Sequence, residues 1–172
     1  MLRKIEDFTK DWAYEAEMTG KVLRALTDES LGQKVSEDGR DLGFLGWHLT
    51  QTLGEMLGLV KLTIDAPAHD LPRPDAAAEI ADAYEKAAAS VTEQVSANWT
   101  DETLLEEDSM YGDTWSRGLT LFYLITHQAH HRGQMTVLMR QAGLAVPGVY
   151  GPSREEWAAF GAPAMPLFQN YH

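Results

Sequence analysis

Four stretches of this chain carry apolar side chains at helical spacing, and that periodicity constrains the fold more than any other feature. From about Ile5 to Leu26, the residues Ile5, Phe8, Trp12, Glu15, Val22, Leu23 and Leu26 share one face. The polar run from Thr27 to Gly39 interrupts the pattern. It resumes from Asp41 to Val60 with Leu42, Leu45, Leu49, Leu53, Met56 and Val60. Pro67, Pro72 and Pro74 then forbid a continuous helix, because proline lacks the N–H and clashes with the preceding turn. Asp75 is expected to cap a third helix that ends near Asn98 and turns Ile80, Tyr84, Ala87, Val91 and Val95 inward. Trp99 to Ser116 shows no helical period and reads as a crossover loop with room for a short extended piece. The fourth helix runs from about Arg117 to Gln141 and stops at Gly143, a residue suited to a left-handed C-terminal cap.

Long helical patterns without a convincing sheet predict an all-α four-helix bundle. Its 172 residues suit a single domain, 1–172, with an irregular tail from about residue 144. In that tail Ser153-Arg154-Glu155-Glu156 fits a capping box before a short helix near Trp157, and Pro163 and Pro166 keep the last residues irregular. The 14 Lys and Arg against 26 Asp and Glu leave a formal charge of -12, which disfavours nucleic acid and anionic membrane as partners. Without cysteine there is no disulfide framework, no thiolate metal site and no protein thiol nucleophile. No signal-peptide or membrane-span pattern occurs, so the expected location is cytoplasmic.

The fourth helix carries a cluster of imidazoles, His127, His130 and His131. With His127 at zero on a helical wheel, the apolar stripe of Leu121, Leu124, Met135, Leu138 and Met139 centres near about 70°. His131 falls inside it at about 40°, His127 lies on its edge, and His130 turns about 60° to the other side. His48 sits on the edge of the second helix's stripe by the same count. Two helices that present imidazoles at the borders of their buried faces can bring His48, His127 and His131 together. Three neutral imidazoles would hold a divalent metal and leave a position open for water or substrate. The competing explanation for each histidine is a hydrogen-bonded boundary residue, and a His-x-x-x-His pair alone leaves the two open.

Two other metal readings fail. A di-iron bundle wants glutamate three residues before a histidine, and a zinc metalloprotease wants His-Glu-x-x-His; neither occurs. Among neighbours, Gln134 is placed to orient a ligand imidazole from behind. Glu55, two turns after His48, is a base or hydrogen-bond acceptor, with a solvated or salt-bridged glutamate as the plainer alternative. Arg132 points off the stripe and is expected to pair with an acid, and Gly133 to permit close helix approach. Trp47, Tyr111, Trp115 and Tyr150 are pocket or packing aromatics. His69 and His172 receive no role.

The segment His127-Gln128-Ala129-His130-His131-Arg132-Gly133-Gln134-Met135 resembles the C-terminal helix signature of the DinB/YfiT-like superfamily. The likeness extends to Leu45-Gly46-Trp47-His48-Leu49 and to Val146-Pro147-Gly148-Val149-Tyr150-Gly151-Pro152-Ser153. It implies a four-helix bundle, often a homodimer, with a histidine triad carried here onto His48, His127 and His131. The implied metal is divalent; three histidine donors leave zinc, nickel, iron and manganese open, with zinc and nickel first. Characterised relatives serve thiol-dependent chemistry, so the expectation is a metal-dependent transferase that brings a low-molecular-weight thiol to an electrophile. Other members carry only a DNA-damage-inducible label, which implies the alternative of a non-enzymatic stress-response or ligand-binding bundle that keeps the metal site. Hydrolysis by bound hydroxide lacks an identifiable base, and DNA cleavage lacks a phosphate track.

Overall fold

Each apolar stripe forms a helix: α1 (Ile5–Arg24), α2 (Leu42–Leu59), α3 (Ala77–Asn98) and α4 (Arg117–Gln141). The structure, a computed structural model, describes residues 2–161. α1 and α2 each pack against both α3 and α4, so α1 and α2 lie diagonally across the bundle. The long α1–α2 connection makes that crossing possible. Its consequence is that α2 and α4, the two helices carrying the histidines, are neighbours.

The apolar stripes meet in one continuous core in which Phe8, Trp12, Leu53, Ile80, Tyr84 and Leu124 have no exposed surface. Trp12 also donates its indole N–H to the Ala88 carbonyl at 3.0 Å, satisfying the one polar atom it buries. Close helix approach occurs at Gly46, where a Cβ would sit 2.9 Å from Leu23 Cδ2. It does not occur at Gly133, whose surroundings are open, so the expected role of that glycine is corrected.

Helix ends follow their local chemistry. Asp41 accepts the Phe44 N–H at 2.6 Å, and Ser116 accepts the Leu119 N–H at 3.2 Å. Past α4, Gly143 takes φ 75°, as the cap required. Asp75 does not cap α3. The helix begins later, with Ala76 at the cap, and the Ala77 N–H donates instead to Asp28 Oδ1 at 2.7 Å, a carboxylate from a single helical turn at Asp28–Ser30. The 153–156 box is half formed. Glu156 accepts from the backbone N–H of Ser153 at 3.0 Å and of Gly148 at 2.9 Å, while its own N–H goes to the Ser153 carbonyl at 3.1 Å rather than to the hydroxyl. Among the described residues a short 3-10 turn, Trp157–Phe160, comes after it, where the sequence predicts a short helix.

The crossover before α4 is more regular than its sequence suggests. A 3-10 turn at Thr103–Leu105 leads into an antiparallel hairpin, β1 (Glu107–Met110) and β2 (Asp113–Ser116), with Glu107 opposite Ser116 and Met110 opposite Asp113. Tyr111 and Gly112 make the turn at φ 53° and 89°, the left-handed pair that matches strand twist. Glycine accepts this conformation freely, whereas a bulky tyrosine is strained in it. The proline-rich connection is held onto α2: the two hydrogens of Gln51 Nε2 are shared among the carbonyls of Ala68, His69 and Leu71, and Trp47 Nε1 donates to Leu71 at 3.0 Å. Among the described residues no helix is long and apolar enough to cross a membrane. Pro163, Pro166 and His172 lie outside the described residues.

Candidate metal centre

α2 and α4 bring His48, His127 and His131 together, as neighbours in the bundle must when their stripes carry imidazoles at facing borders. His127 Nε2 lies 3.2 Å from His48 Nε2 and 3.1 Å from His131 Nε2, and the three ligand atoms all fall within 4.8 Å of one another. His131 is buried, and His48 and His127 are half-buried. His130 is not part of the group. It points outward and its Nε2 contacts the Gln134 amide nitrogen at 3.1 Å.

Electrostatics make all three rings donors. Burial pushes the His48 pKa down to about 4, helped by the charges of His131 and Arg40. Burial, then His131 and His48, brings His127 to about 4 as well. His131 is lowered by burial, against the raising effect of its Gln134 hydrogen bond. At neutral pH the set is therefore uncharged and each ring keeps one lone pair. His131 Nδ1 lies 2.7 Å from Gln134 Oε1. An amide oxygen only accepts, so this contact places the proton on Nδ1 and leaves the Nε2 lone pair facing the other two rings.

Hydrogen bonding among the rings does not account for the cluster. One imidazole nitrogen donates or accepts a single good bond, yet His127 Nε2 faces two others. A cation bound at ~2.0–2.1 Å requires imidazole nitrogens roughly 2.9–3.4 Å apart across its coordination angles. The His48–His127 and His127–His131 separations fall in that interval and all three ligand atoms lie within 4.8 Å of one another, so the three histidines could hold a metal ion. One ring nitrogen stays unmet: His127 Nδ1 is buried without a hydrogen-bond partner among the described residues.

Beside the histidines opens a cavity of about 590 Å³, lined by His48, Thr52, Glu55, Met56, Tyr111, Trp115, Tyr123, Thr126, His127 and His130. Of the aromatics singled out in the sequence, Tyr111 and Trp115 reach it. Trp47 is bound to the proline-rich connection, and Tyr150 to Glu15 and Arg132. Tyr123, which sequence reasoning missed, packs on Trp115 with ring centroids 4.7 Å apart. It lies four residues before His127, one turn along the same helix face, and that spacing was the available signal. Glu55 accepts from the Tyr111 hydroxyl at 3.2 Å and makes no ion pair among the described residues. Arg132 does pair with an acid, but inside the bundle: it is 1% exposed and reaches Glu15 Oε2 at 2.6 Å. His69 offers its backbone carbonyl to Gln51 and stands apart from the triad.

Replacing Gln134 by leucine is expected to weaken metal binding by about 10–100-fold, because the His131 ring loses the acceptor that fixes its tautomer and angle. Chelator competition against the unaltered protein measures this. Equal affinities would mean that packing alone orients His131.

The sequence profile of the DinB family matches residues 1–166. YrdA of Bacillus subtilis (strain 168), an uncharacterised protein, is 47% identical over 167 residues, covering 96% of this chain and all of its own length. A DinB-like protein from Bacillus cereus ATCC 10987 superposes with a TM-score of 0.84 at 43% identity, covering 87% of this chain and all of that one. A second DinB-like structure, YjoA of Bacillus subtilis, gives 0.65 at 18% identity over 83% of this chain and 96% of its own, a likeness of fold alone. With a diagonal bundle, a convergent histidine set and a match along nearly its whole length, this chain belongs to the DinB family.

Proposed function

We propose that His48, His127 and His131 hold a divalent metal and that the adjoining cavity presents a small thiol to an electrophile for transfer. The observation that carries this reading is the convergence of three uncharged imidazole nitrogens at one side of an aromatic-lined cavity. A divalent cation bound there supplies the positive charge that keeps a nearby thiol deprotonated near neutral pH. The chain's own residues do the rest. Gln134 fixes His131, the rings of Trp115 and Tyr123 give the cavity an apolar wall, and the open mouth releases the thiol proton to solvent. The thiolate sulfur then forms a bond to the electrophilic carbon, whose leaving group departs with the displaced electron pair. Zinc and nickel suit an all-imidazole set, and iron and manganese are accepted by the same donors. A homodimer belongs to this reading, supported by exposed Phe122 and Val137 on the outer face of α4 that also carries open Gly133.

A second reading, a ligand-binding bundle without turnover, is favoured by one observation. Among the described residues the triad's hydrogen bonds run only within the triad and to Gln134, so no acid–base partner touches it. Mass spectrometry of metal-loaded protein incubated with a panel of small thiols and electrophiles separates the two. Thioether product that disappears on chelation is expected. Thiol binding without product selects the second reading, and neither binding nor product removes the thiol from both.

A further inference from the structure

The cavity beside the histidines has a distinctive electrostatic make-up. Its wall includes the rings of Tyr111, Trp115 and Tyr123, with Trp115 between the other two at centroid distances of 5.7 Å from Tyr111 and 4.7 Å from Tyr123. Its one carboxylate is Glu55, and among the described residues no lysine or arginine lines it. Arg40 stands 5.0 Å over the Phe44 ring and is not part of the lining. Aromatic faces carry negative charge, so ring wall and carboxylate attract the same kind of group. The hairpin tip adds a second sign of purpose: Tyr111 is held at φ 53°, a strained conformation, with its hydroxyl on Glu55 at 3.2 Å. Along the ring wall and Glu55, away from the histidines, an anionic ligand finds no lining cation among the described residues to pair with.

From this we infer that the cavity selects an organic cation, a substrate bearing a protonated amine or quaternary ammonium group that rests on the ring wall with Glu55 as its counter-charge. This rests on the proposed function and names the substrate class of the same site. Glu55 comes two helical turns after His48, so on α2 the two positions are about 10 Å apart along the axis. A ligand with its cationic end at Glu55 therefore extends its other end toward the triad, which separates the two positive charges.

Calorimetric titration of chelator-treated protein tests this without any metal, so failure of the metal reading leaves the result interpretable. The probes are choline, its uncharged tert-butyl isostere and the matching tert-butyl carboxylate. Choline is expected to bind at least about tenfold more tightly than the isostere, and the carboxylate not at all. Glu55→Gln should erase that preference. Tyr111→Phe keeps the ring and frees the carboxylate, so it should bind choline at least as well as the parent protein. Equal binding of the isostere, a preference for the carboxylate, no binding of any probe, or a preference that survives Glu55→Gln in folded protein would each overturn the inference.

Discussion

Replacing Arg132 by leucine is expected to lower the unfolding free energy by about 3–5 kcal/mol, because the change strands a carboxylate inside the bundle. Arg132 is 1% exposed and Glu15 7% exposed. The guanidinium donates to Glu15 Oε2 at 2.6 Å, to the Glu15 carbonyl at 3.1 Å, to Thr19 Oγ1 at 3.0 Å and to the Tyr150 hydroxyl at 2.6 Å. Without it, the Glu15 carboxylate is left in a dry setting with no counter-charge, which is costly. Urea denaturation monitored by circular dichroism reads the loss. The double change Glu15→Leu with Arg132→Leu should recover much of it, since removing both charges also removes the desolvation penalty. A loss below about 1 kcal/mol for the single variant would show that water reaches the pair.

The second large effect concerns the metal. His127→Ala is expected to reduce bound metal from near one equivalent to below ~0.1 equivalent, the largest drop among the histidine variants, because two ligands cannot sustain a site that needs three. His127 Nε2 is the atom that both other rings approach. His48→Ala and His131→Ala should also lose metal, whereas His130→Ala should retain it, its ring being turned outward onto Gln134. Elemental mass spectrometry of untagged protein gives the answer. Metal retained in the His127 variant, or lost from the His130 variant, would refute the assigned donor set.

The helices were legible in the sequence because burying one face imposes a countable period. α4 matches its expected span, from Arg117 to Gln141, because its stripe is sustained and a glycine ends it. The hairpin was not legible. Its strands are four residues each and β1 reads Glu-Asp-Ser-Met, with polar side chains in three of four places, so alternation has nothing apolar to mark. The start of α3 was misplaced for a different reason. Its first N–H is met by Asp28, from a segment 49 positions away, and no local pattern announces a partner at that distance. Arg132 shows the same limit: the wheel set it off the main stripe, yet α4 buries a second face against α1. One signal did exist in the sequence. Glu15 interrupts an otherwise apolar stripe of α1, and a charge in that position calls for a buried partner.

His131 and Arg132 are consecutive, so their side chains leave α4 about 100° apart, one toward the histidine cluster and the other toward α1. The two form a key and its wards. At the roughly 6 Å radius of a helical side chain, a 10° turn of α4 about its own axis would carry an imidazole nitrogen about 1 Å off target. Such a turn would also drag the guanidinium off Glu15. The buried ion pair thus serves as an azimuthal lock, setting the angle at which α4 offers its two histidines to the third on α2.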